Sequence, residues 1–187
     1  RVTPAGEASV FLELPEGSTG NGIRFDSAHR MLIADYTGHN ILRVDMQTKQ
    51  IEVFAHEPGF HQPNDICIAD NDILFASDPD WQASTGQIWR VDTDGTVTLL
   101  EGGMGTTNGI EVSPDESTLY LIETHRNVGH HRDIRAFDLG NDGTLSNERV
   151  LVDFYPGRSG DGMAVDEQGN LYVAAGLHAL RDGSETL

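Results

Sequence analysis

Amide and carboxylate side chains recur at four places in the sequence, each just before a short run of alternating apolar residues. They are Asn21, Asn64, Asn108 and Asp161, and successive copies lie 43, 44 and 53 residues apart. Oxygen atoms of amides and carboxylates are the hard donors that Ca²⁺ prefers over sulfur or imidazole. If the fold brings the four copies together, they form part of a calcium site.

The same motifs have a simpler interpretation. Asn-Gly and Asp-Gly are common turn dipeptides because both residues tolerate positive φ. Three of the four copies carry the glycine, whereas Asn64 is followed by Asp65. The sequence leaves both interpretations open, a ring of donors or a set of turns.

Each motif begins the first of several short strands in a repeating unit. The predicted strands are 21–26, 30–35, 40–45 and 50–55, then 64–69, 72–77, 87–92 and 96–100, then 108–113, 118–122, 133–138 and 149–154, and finally 161–166 and 170–174. Four antiparallel strands in about 40–45 residues are typical of a β-propeller blade. The sequence therefore predicts an all-β propeller, in which the first strand of every blade lines a central channel.

A further apolar run at residues 9–14 ends at Pro15 and predicts the last strand of a preceding blade. The chain then contains three whole blades and the first half of another, which is about three and a half to four blades. Such an assembly cannot close a ring. We therefore expect residues 1–187 to form a single propeller domain that is incomplete at both ends, with repeats starting near 21, 64, 108 and 161.

Composition excludes several classes of partner. Thirty acidic residues against 12 basic ones give a formal charge of −18, which repels phosphate backbones and argues against nucleic-acid binding. No apolar run is long enough to span a membrane. The single cysteine, Cys67, permits no disulfide within the chain. A cytoplasmic location is slightly favoured, and export stays open.

Several ordered motifs resemble those of the SMP-30/gluconolactonase/LRE-like family. They are Gln-Pro-Asn-Asp at 62–65, Ser-Asp-Pro at 77–79, Thr-Asn-Gly at 107–109 with Ser-Pro-Asp at 113–115, and Gly-Asp-Gly-Met at 160–163 with the segment 166–173. The resemblance covers essentially the whole chain. It implies a six-bladed propeller with a divalent cation in the central channel, usually Ca²⁺, with Zn²⁺, Mn²⁺ or Mg²⁺ as alternatives.

The resemblance also implies roles for particular residues. Asn64, Asn108 and Asp161 match the family's metal ligands, and Asn21 matches a residue that only lines the channel. A fourth ligand, a glutamate, belongs to a motif upstream of Arg1. Asp161 also matches the residue proposed as general base or nucleophile.

Other candidates lie in loops at the channel end of the predicted strands. His61, Asp78, Trp81 and Glu123 could line the channel or contact substrate, although each also has a purely structural explanation. His125, His130 and His131 crowd one loop and could suggest zinc. Exposed histidines without a metal are the simpler interpretation, because no third ligand at a fixed spacing accompanies them.

Two functions follow from these observations. The first is a divalent-metal-dependent hydrolase of small sugar lactones, in which the cation polarises the lactone carbonyl. The alternative is a non-catalytic propeller whose channel metal is structural and whose surface binds a ligand, because a fold does not determine a function. Lactone hydrolysis with and without a chelator separates the two.

Overall fold

The computed structural model describes residues 1–125 and 130–175, and it groups their strands into four antiparallel sheets. Blade 1 contains β1 (Gly20–Phe25), β2 (Met31–Asp35), β3 (Asn40–Val44) and β4 (Ile51–His56). Blade 2 contains β5 (Ile66–Ile68), β6 (Leu74–Asp78), β7 (Gly86–Val91) and β8 (Val97–Met104). Blade 3 contains β9 (Thr107–Val112), β10 (Thr118–Thr124), β11 (Arg132–Leu139) and β12 (Leu145–Asp153). Blade 4 is represented by β13 (Met163–Val165) and β14 (Leu171–Val173).

Strand order within each sheet follows the chain, so every blade is an up-and-down meander of the kind found in propellers. This confirms the predicted all-β propeller. The described residues contain no helix, and none of them therefore forms a helix able to cross a membrane.

One predicted strand is wrong. Residues 9–14 form no strand, and the only pairing near them is an isolated bridge between Val2 and Ala8. Leu12 and Leu14 instead pack their side chains against Ile33 of blade 1 and its apolar neighbours. An apolar run becomes a strand only where a neighbouring strand accepts its hydrogen bonds, and none lies beside this run in the described part of the chain.

The first strands of successive blades lie side by side. β1 contacts β5, β5 contacts β9, and β9 contacts β13. We call β1, β5, β9 and β13 the inner strands, and the end at which they begin the upper end of the molecule. Because the strands alternate in direction, the end of each second strand and the start of each third strand also lie at the upper end.

Apolar side chains fill the spaces between blades. One cluster joins blades 1 and 2 and includes Leu32, Ile41, Phe60, Leu74 and Trp89. A second joins blades 2 and 3, and a third joins blades 3 and 4. Blades 2 and 3 thus bury both faces against their neighbours, which explains why apolar residues dominate their strands and polar residues concentrate in the turns.

Candidate metal centre and active site

Three asparagines from three blades meet at the upper end of the inner strands. The Asn21 side-chain amide donates to Oδ1 of Asn64, and the Asn64 amide donates to Oδ1 of Asn108 at 2.6 Å. Asn64 and Asn108 are buried, whereas Asn21 is exposed. The structure therefore places these three sequence-predicted residues in one hydrogen-bonded chain.

The fourth member of the set, Asp161, lies across the gap between blades 3 and 4. Its backbone carbonyl accepts a hydrogen bond from the Gly109 N–H at 2.9 Å, next to Asn108. Its own N–H donates to Ala174 at 2.9 Å. The Asp161 side chain is exposed. The backbone is thus fixed on both sides while the carboxylate stays accessible.

The glycines of the repeated motif allow blades to approach one another. A Cβ atom added to Gly22 would lie 2.9 Å from the Cα of Asp65, and one added to Gly109 would lie 2.7 Å from the Asp161 carbonyl oxygen. Gly22, Gly109 and Gly162 are not among the glycines with positive φ. Close backbone approach, not turn geometry, therefore explains the glycines at Gly22 and Gly109.

These donors fit a hard divalent cation. Asn64 and Asn108 supply amide oxygens and Asp161 supplies a carboxylate, with neither sulfur nor imidazole among the three. The amides already lie within hydrogen-bonding distance of one another. Their assignment as ligands stays a prediction, since the amide oxygens here accept hydrogen bonds from neighbouring amides.

A charged cluster occupies the inner strands next to the asparagines. Arg24 of β1 reaches across to Glu111 of β9, with 3.1 Å between Nη2 and Oε2. Asp65, which directly precedes β5 of blade 2, accepts hydrogen bonds from the N–H groups of Ile66 and Ile110. Burial raises the pKa of the Asp65 and Glu111 carboxyls, and the Arg24 charge opposes that rise.

The sequence reasoning missed this cluster, although a signal for it exists. Arg24 and Glu111 occupy the same position of the repeat, three residues after the motif asparagine. Equivalent positions of the repeat face the same channel if the blades surround one. The shared position of Arg24 and Glu111 therefore predicts that the two residues lie close together.

Two other candidates, Asp78 and Glu123, brace the loops that lead into the inner strands. Both side chains are fully buried. Asp78 accepts hydrogen bonds from the N–H groups of His61 and Gln62 at 2.8 and 2.7 Å, and Glu123 accepts one from Gly105 at 3.1 Å. The equivalent residue of blade 1, Asp35, does the same for Thr19 at 3.0 Å. In blades 1 to 3, a carboxylate near the end of the second strand thus positions the segment that precedes a motif asparagine.

His61 and Trp81 also lie at the upper end. The His61 ring places Nδ1 3.5 Å from Oδ2 of Asp80. Trp81 is half-buried, and its N–H donates to Oε1 of Gln62 at 3.1 Å. Both flank the segment that leads to Asn64, and contact between substrate and His61, Asp78, Trp81 or Glu123 stays a prediction.

Comparison with known proteins now identifies the family. The sequence pattern of the SMP-30/Gluconolactonase/LRE-like region matches residues 1–180. The chain belongs to this family.

The chain is similar to proteins named as gluconolactonases and to a calcium-binding protein. A gluconolactonase from Zymomonas mobilis is 26% identical over 99% of this chain and 61% of its own length. The solved structure of a gluconolactonase from Xanthomonas campestris is 25% identical, covers 84% of this chain and 56% of its own, and superposes with a TM-score of 0.71. A calcium-binding regucalcin from Agrobacterium tumefaciens is 21% identical, covers 91% of this chain and 59% of its own, and also gives a TM-score of 0.71.

The chain spans about three fifths of the length of the Zymomonas gluconolactonase. Lactone hydrolysis by this chain is therefore a proposal.

Proposed function

We propose that the protein is a hydrolase of small sugar lactones that depends on a divalent cation held at the upper end of the inner strands. The observation that carries the proposal is the hydrogen-bonded chain of Asn21, Asn64 and Asn108, which draws oxygen donors from three blades to one place. Membership of the family and similarity to gluconolactonases support lactones as the substrate class.

Asn64, Asn108 and Asp161 would hold the cation. Their oxygen-only donor set favours Ca²⁺ over Zn²⁺, Mn²⁺ or Mg²⁺, because Ca²⁺ accepts many oxygen ligands in flexible geometry. A bound cation supplies polarisation of the lactone carbonyl and stabilises the negative charge that develops on its oxygen. Asn21, which donates to Asn64 and is exposed, would orient that amide instead of binding the ion.

Asp161 would be the residue that moves a proton. Its carboxylate is exposed, and its backbone is hydrogen-bonded to Gly109 of blade 3, the residue after Asn108, and to Ala174 of blade 4. When water attacks the lactone carbonyl carbon, this carboxylate accepts the proton that the water loses. The ring C–O bond then breaks, and the ring oxygen gains a proton to give the open hydroxy acid.

His61 and Trp81 would contribute on the substrate side. They flank the segment that leads into β5, at the same end as the proposed ligands. An indole and an imidazole can contact the ring and hydroxyl groups of a sugar lactone. Asp78 and Glu123 act one step further away by holding the loops.

The test is lactone hydrolysis by two variants with matched controls. Asp161→Asn should lower turnover by about 100-fold or more, because it removes both the proton acceptor and a charged ligand. Asn108→Ala should raise the Ca²⁺ concentration needed for activity. Glu167→Gln, an exposed carboxylate of the same blade, and Asn141→Ala, an exposed amide at the opposite end, should behave as wild type.

An unchanged kcat for Asp161→Asn with Ca²⁺ bound would reject the assignment. Wild-type protein that binds Ca²⁺ but hydrolyses no lactone would favour the alternative, a binding module with a structural channel metal.

A further inference from the structure

The cross-strand pair at the upper end of blade 3 differs chemically from its counterparts. In blade 1, Asp35 lies opposite Asn40, and in blade 2, Asp78 lies opposite Gln87. In blade 3, Glu123 lies opposite Asp133. Like charges directly opposite each other on neighbouring strands are destabilising. This blade therefore needs positive charge that the other two do not.

Arg135 supplies part of that charge. It occupies the repeat position of Trp89, whose indole N–H donates to Asp78 at 3.2 Å in blade 2. Its guanidinium lies 3.5 Å from Oε2 of Glu123 and 3.2 Å from Oδ1 of Asp133, and it also pairs with Glu148. Three carboxylates thus share one guanidinium, which leaves an excess of two negative charges.

One oxygen of this group is buried and accepts no hydrogen bond from the described residues. Oε1 of Glu123 accepts the Gly105 N–H, whereas Oε2 has no hydrogen-bond donor within residues 1–125 and 130–175 and lies 3.5 Å from the Arg135 guanidinium. Burial raises the pKa of Glu123, and Arg135 opposes that rise. A buried carboxylate oxygen without a donor is costly. The Glu123 carboxylate, which holds the Gly105 segment in blade 3, therefore lacks a partner for one of its oxygens.

An imidazole completes the group. Nδ1 of His131 lies 3.1 Å from Oδ2 of Asp133, and its ring is 64% exposed. One ligand atom from each of Glu123, His131 and Asp133 can be chosen so that all three lie within 4.8 Å of one another. Around a tetrahedral zinc ion the ligand atoms are separated by about 3.3 Å.

We propose that Glu123, His131 and Asp133 form a second divalent-cation site, separate from the asparagine site, that takes Zn²⁺. Two carboxylates and an imidazole suit a first-row transition ion better than Ca²⁺, which rarely accepts nitrogen. The ion would offset the excess of two negative charges and give the buried Glu123 oxygen a partner. Water would fill the remaining position on the exposed side of His131.

The experiment is a Zn²⁺ titration of tag-free protein saturated with Ca²⁺, followed by calorimetry, with Co²⁺ absorption as a spectroscopic check of a nitrogen ligand. One equivalent of Zn²⁺ should bind. His131→Ala should weaken this binding by at least about 10-fold, which is the lower limit for loss of a group that supports a metal. Because the His131 side chain is exposed, this variant tests binding without endangering the fold.

Two further variants serve as controls. His130→Ala is the matched control, since His130 stacks on His125 with ring centroids 3.7 Å apart and lies outside the group. It should bind Zn²⁺ as wild type does. Asn108→Ala should also leave Zn²⁺ binding unchanged, which separates this site from the proposed lactonase centre. The proposal is overturned if Ca²⁺-saturated protein binds no Zn²⁺, or if His131→Ala binds it with unchanged Kd.

Discussion

Buried carboxylates at the ends of the second strands set the position of the candidate ligands. Asp78 receives hydrogen bonds from two consecutive backbone N–H groups and from the Trp89 indole. Burial raises the pKa of Asp78, and the hydrogen bonds from the loop oppose that rise. The loop leading to Asn64 therefore depends on one side chain that touches no solvent.

Replacement of Asp78 tests this dependence. Asp78→Ala should lower the free energy of unfolding by about 3 kcal/mol, because three donors, including the buried Trp89 indole, lose their acceptor. Asp94→Ala is the control, an exposed aspartate that accepts a hydrogen bond from the Thr96 N–H in a turn. It should cost much less than Asp78→Ala, because substitutions at exposed positions have small effects. Urea unfolding at neutral pH measures both, and equal losses would contradict the proposed role of Asp78.

The repeat predicted that some of these residues lie close together, but it did not predict what others do. Asn21, Asn64 and Asn108 could be grouped from sequence because a propeller places equivalent positions around one axis. Asp78 and Glu123 could be placed at the same end but not given a bracing role, since their donors lie 16 to 18 residues away in a neighbouring loop. The role of such a residue depends on contacts that local sequence does not record.

At the scale of the strand, close contact between inner strands fixes the spacing of the donors. The Gly109 N–H bonds the Asp161 carbonyl, and no side chain fits between them. The fourteen strands observed were all predicted in order and type, although β12 begins at Leu145, four residues before the predicted start. Strand ends were harder to predict because residues next to the turns also pair across the hairpin, as Leu139 and Leu145 do. Residues 9–14 show that an apolar run without a partner strand does not form a strand.

A methyl group at Gly109 tests the contact between blades 3 and 4. Gly109→Ala should destabilise the protein by about 1–3 kcal/mol and weaken Ca²⁺ binding, because the added Cβ would displace the Asp161 backbone. Gly162→Ala is a matched control from the same motif, since a Cβ there meets no atom within 4 Å. Thermal unfolding compares the two. A Gly109→Ala variant with the Tm of Gly162→Ala would contradict the close-contact explanation.

At the scale of the whole molecule, the Arg24–Glu111 pair joins blades that are not neighbours. These residues are 87 positions apart and belong to the first and third blades. Asp65 of the intervening blade adds a second partly buried carboxylate that feels the Arg24 charge. Arg24, Asp65 and Glu111 therefore link three blades.

A double-mutant cycle measures this link. Arg24→Met should cost about 1–3 kcal/mol, because it leaves Glu111 and Asp65 without a counter-charge, and adding Glu111→Gln should recover part of the loss. The exposed pair of Arg149 and Asp138, with side chains 46% and 48% exposed, is the control. Its coupling should be smaller, because solvent screens exposed ion pairs. Equal coupling in the two pairs would show that the Arg24 pair is no more than a surface contact.

The central claim is that oxygen donors gathered from separate blades bind the cation that lactone hydrolysis needs. The most direct measurement is the rate of gluconolactone hydrolysis after a chelator has been added and removed, followed by titration with Ca²⁺. We predict that chelation abolishes hydrolysis, that Ca²⁺ restores it, and that Asn108→Ala shifts the restoring concentration upward. Hydrolysis that continues at the original rate in the presence of the chelator would contradict the claim.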